Sequence, residues 1–250
     1  KNLISDFHEV HGDRKFADDP SIICGFGYLE GKKVAVLAIE KGRKTKDKVY
    51  RNFGMPRPEG YRKSIRVMKL AEQFNLPIVA FVDTPGAYPG IGAEERGQAS
   101  AIAENLAEMF EISVPIISVV IGEGGSGGAL GLAIADRVLM MEYSIYSVIS
   151  PESCASILWA DPKKGETAAH ALKLSPDKAL ELGVIDKMVK EPIGGAHRDH
   201  KKAYLLMKET LAVELKGVEK YSGEDLKKSR FEKFRKMGND TICQVNSEPH

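Results

Sequence analysis

Val114-Pro115-Ile116-Ile117-Ser118-Val119-Val120-Ile121-Gly122-Glu123-Gly124-Gly125-Ser126-Gly127-Gly128-Ala129-Leu130 decides the fold: an apolar run, a glycine loop, then small residues able to open a helix. The run from Val114 to Ile121 is rich in β-branched residues and suits a strand covered on both faces. Two runs of the same kind precede it, Val34 to Ile39 and Pro77 to Val82. Between the first pair, Glu59 to Phe74 repeats Tyr61, Ile65, Met68 and Ala71 at helical spacing. Between the second pair, Ala93 to Glu111 does the same with Ala99, Ile102, Ala103, Leu106, Met109 and Phe110. Strand, helix, strand, helix, strand implies right-handed crossovers and a mostly parallel sheet with helices outside it.

Downstream the alternation continues. Gly127 to Ala135 reads as a small-residue helix, Arg137 to Met141 and Ser144 to Ile149 as short strands, and Val184 to Val189 as another. Ser150-Pro151-Glu152 and Ser175-Pro176-Asp177 read as helix starts with proline at the first position. From His200 the character changes to charged helices, Lys201 to Lys216 and Gly223 to Met237, the second behind a cap-like Ser222-Gly223-Glu224-Asp225. The expected division is one domain over 1–200 and a charged helical tail over 201–250, peripheral or partner-facing, with Gly238 to His250 frayed.

The 250 residues are 43% hydrophobic and 28% charged, an ordinary globular composition that excludes disorder, collagen and a small disulfide scaffold. Lysine plus arginine is 36 and aspartate plus glutamate 35, so a net charge of +1 gives no global pull toward nucleic acid or membrane. Locally the balance differs: Lys41 to Lys69 holds eleven basic residues against Asp47 and Glu59, a local +9. No nucleic-acid reading motif accompanies it, so a phosphorylated cofactor, an acidic carrier or an acidic partner fits better. Within it, Arg62, Lys63, Arg66 and Lys69 are expected on a solvated helix face. Cys24, Cys154 and Cys243 are widely spaced, which argues against a disulfide framework or a cysteine zinc site and favours a reducing compartment. The opening Lys1-Asn2-Leu3-Ile4 has no apolar core of a secretory signal, and Ile112 to Ala135, the least charged stretch, is broken by Pro115 and glycines where a spanning helix needs apolar side chains.

Five glycines in the seven positions from Gly122 to Gly128 leave backbone amides unshielded. The helix that follows aims its free amides at the same spot. A Walker phosphate loop would need a lysine that is absent here, and a dinucleotide fingerprint would need an earlier strand, although Glu142 lies at the right distance. Gly124-Gly125-Ser126-Gly127-Gly128 also fits the hydrolase elbow Gly-x-Ser-x-Gly, with Asp161 or Asp186 and then His197 in the usual order. An oxyanion hole is the preferred reading. A second glycine-rich turn, Asp83-Thr84-Pro85-Gly86-Ala87-Tyr88-Pro89-Gly90-Ile91-Gly92, ends the second strand and so lines the same carboxyl edge of the sheet. Two such loops without a side-chain triad suit a reaction in which an anion develops on substrate oxygen, where one amide donor contributes roughly 3 kcal/mol. A scaffold that docks partners through its basic segment is the non-enzymatic alternative.

His11-Gly12-Asp13-Arg14, Lys41-Gly42-Arg43, Arg51 to Pro56, Pro58 to Lys63, the Asp83 to Gly92 loop, Glu94 to Gln98, the Gly122 to Leu130 loop, Ser150 to Glu152, Ala155 to Trp159 and Gly194 to His197 occur in order. Together they resemble the carboxyltransferase α-subunit family of multisubunit acetyl-CoA carboxylase, from about Phe7 to Arg198, with a looser resemblance over the tail. The resemblance implies a crotonase/ClpP-like α/β spiral of ββα units with peripheral C-terminal helices. It implies transfer of a carboxyl group from carboxybiotin, on the biotin carboxyl carrier protein, to acetyl-CoA, giving malonyl-CoA for fatty acid synthesis. Gly127 and Gly128 would then hold the ureido oxyanion, and biotin's own nitrogen would take the proton, so that no protein base is required. Gly124, Gly125, Gly86 and Ala87 would shape the substrate channel, and Arg96 would orient that loop or contact a carboxylate. His197 is expected to be a structural hydrogen-bonding residue.

The implied partners are a zinc-containing β subunit, the carrier protein and biotin carboxylase, in an α2β2 heterotetramer in the cytoplasm, with no metal in this chain and neither membrane nor nucleic acid as partner. Position 40 is Glu where the family pattern has Gln, so either a changed local contact or a pair with Lys41 or Arg43 is expected. The N-terminal helical region of many relatives is outside this sequence.

Overall fold

The computed structural model describes residues 2–238; the frayed end expected beyond them, with Cys243, lies outside the described residues. In chain order the elements are β1 (Ser5–Val10), β2 (Ile22–Leu29), β3 (Lys32–Ile39), α1 (Thr45–Tyr50), α2 (Pro58–Gln73), β4 (Ile78–Thr84), α3 (Ile91–Glu95), α4 (Gln98–Glu111), β5 (Ile116–Gly125) and α5 (Ser126–Leu130). There follow β6 (Arg137–Met141), β7 (Ile145–Ser147), α6 (Pro151–Trp159), α7 (Gly165–Leu172), α8 (Pro176–Glu181), β8 (Lys187–Val189), α9 (His200–Val218) and α10 (Gly223–Lys236). The strands form one sheet in the order β1-β2-β3-β4-β5-β6-β8, antiparallel from β1 to β3 and parallel from β3 onward. β5 changes partner along its length: β6 pairs with Ile117 to Val120, and β7 with Glu123 to Gly125. That branching distinguishes it from a flat doubly wound sheet.

The apolar runs are continuous because each strand feeds two cores. Ala35, Leu37, Ile78, Ala80, Val82, Ile116 and Val120 face a cluster with Tyr61, Met68 and Met109 of α2 and α4. The intervening Val34, Val36, Val79, Ile117 and Val119 face the opposite cluster with Met207, Leu211 and Leu215 of α9. The period of two thus sends successive side chains into different buried layers. The C-terminal helices lie outside the sheet, yet their inner faces are part of the core.

Several boundaries differ from the sequence expectation, each for a local reason. β1 and β2 went unread because glycines dilute the apolar signal of β2; a Cβ on Gly25 would strike the His8 carbonyl and the Phe7 ring, and one on Gly27 would strike Ile4, so the two strands approach too closely for side chains. The helix expected over Ala93 to Glu111 divides into α3 and α4 at Gly97, which takes a left-handed φ of 79°. The helix expected over Gly127 to Ala135 stops at Leu130, and the strands expected over Ser144 to Ile149 and Val184 to Val189 shorten to β7 and β8. Ser150 and Ser222 do cap α6 and α10, accepting from the amides of Ser153 and Asp225.

Candidate active site

The two glycine loops meet backbone to backbone at the carboxyl ends of β4 and β5. A Cβ on Gly128 would collide with the Gly86–Ala87 peptide, and one on Gly125 with the Pro85 carbonyl. Only glycine permits this approach. Gly124 is also closed in, by Tyr146 and Val120. Gly127 differs: nothing lies within 4 Å of its missing Cβ, so that side of the turn is open. Being in the first turn of α5, the amides of Gly127 and Gly128 have no intrahelical acceptor. In the facing loop, Thr84 Oγ1 accepts from the Gly86 amide at 3.0 Å and donates to the Gly86 carbonyl at 2.8 Å, fixing Gly86 at φ 150°. The Gly86 amide is therefore already spent on Thr84.

The supports of this junction come from elsewhere in the fold. The Tyr61 hydroxyl, on α2, donates to the Gly128 carbonyl at 3.1 Å, and its ring packs where a side chain on Gly131 would go. Burial pushes the Tyr61 phenol above its ordinary range, so it is a neutral strut. Asn105 of α4 donates to the Gly131 carbonyl at 2.8 Å. Gln98 donates to the carbonyls of Pro56 and Tyr88, at 2.8 and 2.9 Å, and Arg57 lies over the Tyr88 ring at 5.0 Å. These contacts strap the Gly86 to Gly92 loop to the segment that enters α2.

A charged tie joins three strand ends. Lys41, just after β3, places its Nζ 2.9 Å from Asp83 of β4 and 2.6 Å from Glu123 of β5. Asp83 also accepts from the Glu123 amide at 3.0 Å, and a Cβ on Gly122 would touch the same carboxylate. Burial alone would lower the Lys41 pKa, but the hydrogen bonds to Glu123 and Asp83 outweigh it and hold the amine above its ordinary range. Asp83 and Glu123 as partners of Lys41 are not evident from the sequence. The available signal was charge at or just beyond the end of each apolar run.

The basic segment is largely spent on internal contacts. Lys63 is wholly buried, bonded to Asp18 at 2.6 Å and to the Asp19 carbonyl at 2.8 Å. Arg62 pairs with Asp13 and Glu59, and Arg66 donates to the carbonyls of His11 and Gly12. These three are therefore not the solvated face expected of them; of that set, Lys69 alone is exposed, paired with Glu108. Arg96 meets a carboxylate, that of Glu59 at 2.5 Å, and lies over the Phe16 ring at 4.5 Å. It ties the Gly97 corner to the first turn of α2. Glu40 pairs with neither Lys41 nor Arg43; it accepts from the Gly42 amide at 3.1 Å.

The hydrolase constellation is not assembled. Asp186 accepts from the Val138 amide and from Lys233, and Asp161 caps a short 3-10 turn at Lys163. His197 is exposed, and its ring makes no side-chain hydrogen bond among the described residues, so the expected structural role falls away too. Cys24 is buried, its thiol pushed up to about 12 by desolvation, and is no nucleophile. Among the described residues no three His, Cys, Asp or Glu side chains group as a metal site would require. No described helix is long and apolar enough to cross a membrane.

Comparison with known proteins adds to this geometry. Residues 1–238 match the family described as acetyl co-enzyme A carboxylase carboxyltransferase-like. Over 236 residues the chain is 61% identical to an acetyl-coenzyme A carboxylase carboxyl transferase subunit alpha from Geobacter metallireducens, covering 94% of this chain and 74% of that protein. A protein of the same name from Methylococcus capsulatus is 55% identical over 236 residues, with the same coverage of 94% and 74%. Among solved structures, transcarboxylase 12S with hydrolysed methylmalonyl-coenzyme A bound matches with a TM-score of 0.65 at 23% identity. That match covers 83% of this chain but only 39% of the larger one. The Pseudomonas malonate decarboxylase MdcD–MdcE heterodimer matches with a TM-score of 0.67 at 16% identity, covering 85% of this chain and 84% of that one. At these identities the structural matches speak for the fold, the α/β architecture of carboxyltransferases.

Proposed function

The chain belongs to the family of acetyl-CoA carboxylase carboxyltransferase α subunits, and from that membership we propose that its two glycine loops form the half-site that receives carboxybiotin. The reaction is transfer of the carboxyl group from carboxybiotin on the carrier protein to acetyl-CoA, giving malonyl-CoA for fatty acid synthesis. The carboxyl group leaves the ureido nitrogen as carbon dioxide, that nitrogen takes a proton from the acetyl methyl, and the resulting enolate forms the new carbon–carbon bond. Gly127 and Gly128 donate their amides to the ureido oxygen as negative charge develops there. Gly86, Ala87, Gly124 and Gly125 shape the channel, and Arg96 acts at one remove by holding the Gly97 corner against Glu59.

One observation carries this reading. The Gly128 backbone interlocks with the Gly86–Ala87 peptide while nothing lies within 4 Å of the missing Cβ of Gly127, which supports a fixed turn that a ligand can approach. The charged groups nearest the loops, Lys41, Asp83 and Glu123, are tied to one another, in keeping with a reaction that asks no base of this chain.

The other half of the site is proposed to come from a zinc-containing β subunit, in an α2β2 assembly working with the carrier protein and biotin carboxylase in the cytoplasm. The exposed apolar residues Val148, Ile157 and Leu158 support a docking face for that subunit. Residues 1–200 are proposed as the carboxyltransferase domain, with the later helices as its tail.

The test is a malonyl-CoA assay run with and without added β subunit and carboxylated biotin. Product is expected only when the β subunit is present. Transfer by this chain alone would overturn the divided site.

A further inference from the structure

A pocket of about 290 Å³ opens beside Ser126 and Gly127. Its polar residues are Ser126, Gly127 and Ser147; the rest is chiefly apolar, with Leu130 of α5, Tyr146 of β7, and Phe234 and Met237 from α10 and its end. Among the described residues no Lys, Arg, His, Asp or Glu lines it. Such a lining rejects a nucleotide or phosphate and suits a ligand with one polar end and an apolar body. Burial of Tyr146 pushes its phenol up to about 12, so that wall is uncharged as well.

The placement of the α10 wall is fixed by one buried side chain. Arg230, 1% exposed, forks onto Asp136, with Nε at 3.0 Å and Nη2 at 2.8 Å. Its remaining donors reach the carbonyls of Met109, Ile112 and Val114, where α4 ends and leaves acceptors without intrahelical partners. A cation at that end also meets the negative pole of the helix. One turn further, Lys233 bonds Asp186 at 2.8 Å and the Asp136 carbonyl at 3.1 Å. Phe110 of α4 meets Phe231 and Phe234 edge-on, at 6.0 and 5.7 Å. So many directional contacts leave α10 one position, and that position sets Phe234 and Met237 opposite Gly127.

We infer that α10 is the wall of the carboxyl-donor pocket: Phe234 and Met237 hold the apolar ring and chain of the biotinyl group while its ureido end meets the Gly127 amide. Arg230 is the positioning residue that keeps them there. This rests on the oxyanion reading of the glycine loops and adds the residues that recognise the rest of the donor.

The experiment uses the α subunit assembled with its β subunit, run in reverse with malonyl-CoA as donor and biocytin as acceptor. Phe234→Ala and Met237→Trp, one emptying the wall and the other filling the pocket, are each expected to raise the KM for biocytin about tenfold while the KM for malonyl-CoA stays unchanged. Phe234→Leu should recover most of the loss. Arg230→Lys, which keeps the charge but loses the fork, should move the biocytin KM in the same direction without moving that of malonyl-CoA. An unchanged biocytin KM in both pocket variants would overturn the inference, as would a rise confined to malonyl-CoA, which would assign the pocket to the acyl-CoA. A Gly128→Val complex with full activity would instead remove the oxyanion reading beneath it, so the two failures are distinguishable.

Discussion

At Gly128 a single hydrogen atom in place of a side chain allows two loops from different strands to share one surface. Gly128→Val is expected to lower malonyl-CoA formation by about a hundredfold, the loss typical of a displaced oxyanion donor, in an assay with the β subunit present. Ser126 carries a different strain: it holds φ at 52°, a left-handed conformation that costs a non-glycine residue about 1–2 kcal/mol. Ser126→Gly should therefore keep its activity and raise the melting temperature; a serine nucleophile would instead make that variant inactive. Asp18 shows how the local +9 is offset. Burial raises its carboxyl pKa, but hydrogen bonds from Lys63, the Gly12 amide and His11 outweigh that and bring it from 3.8 to about 2. A depressed carboxylate contributes stability that is complete above its unfolded value and is lost as pH falls through its folded one. In urea titrations, wild type should be more stable than Asp18→Asn by about 1–3 kcal/mol at neutral pH, and the gap should close as pH falls from 3.8 toward 2.

Among the elements, α1 and α10 are opposites that look alike in sequence. Both are short and rich in lysine. α1 buries none of its residues, whereas α10 buries Leu226 and Arg230 and joins the core through Phe234. Amide exchange is expected to be orders of magnitude slower across α10 than across Thr45–Tyr50, measured on the isolated chain. The difference was not legible in composition, because a buried arginine and an exposed one are the same letter; only the position of Asp136 and the carbonyls at the end of α4 decides it. Parallel strands and the helices between them were legible, since their apolar periods are long and regular. β1 and β2 were not, since β1 is largely polar and the glycines that let β2 touch it also break the apolar pattern of β2. On α6, Ile157 is 73% and Leu158 61% exposed, on a face that needs a cover. Ile157→Asp should weaken β-subunit binding by about 2 kcal/mol in calorimetry, with the melting temperature of the isolated chain unchanged.

For the molecule as a whole, both loops of the half-site were readable as glycine turns at one sheet edge. Their supports were not, because Tyr61, Asn105 and Lys41 reach the loops and their flank from remote parts of the chain and no short motif joins them. The alternating burial of β3, β4 and β5 makes the sheet a rigid plate with a core on each side. On that plate the Lys41 tie to Asp83 and Glu123 closes the three strand ends before any second subunit arrives. Assembly then has no loop-ordering entropy to overcome at the cradle. The affinity between subunits can be set by the apolar area they cover, and the heat-capacity change of association should follow that area alone.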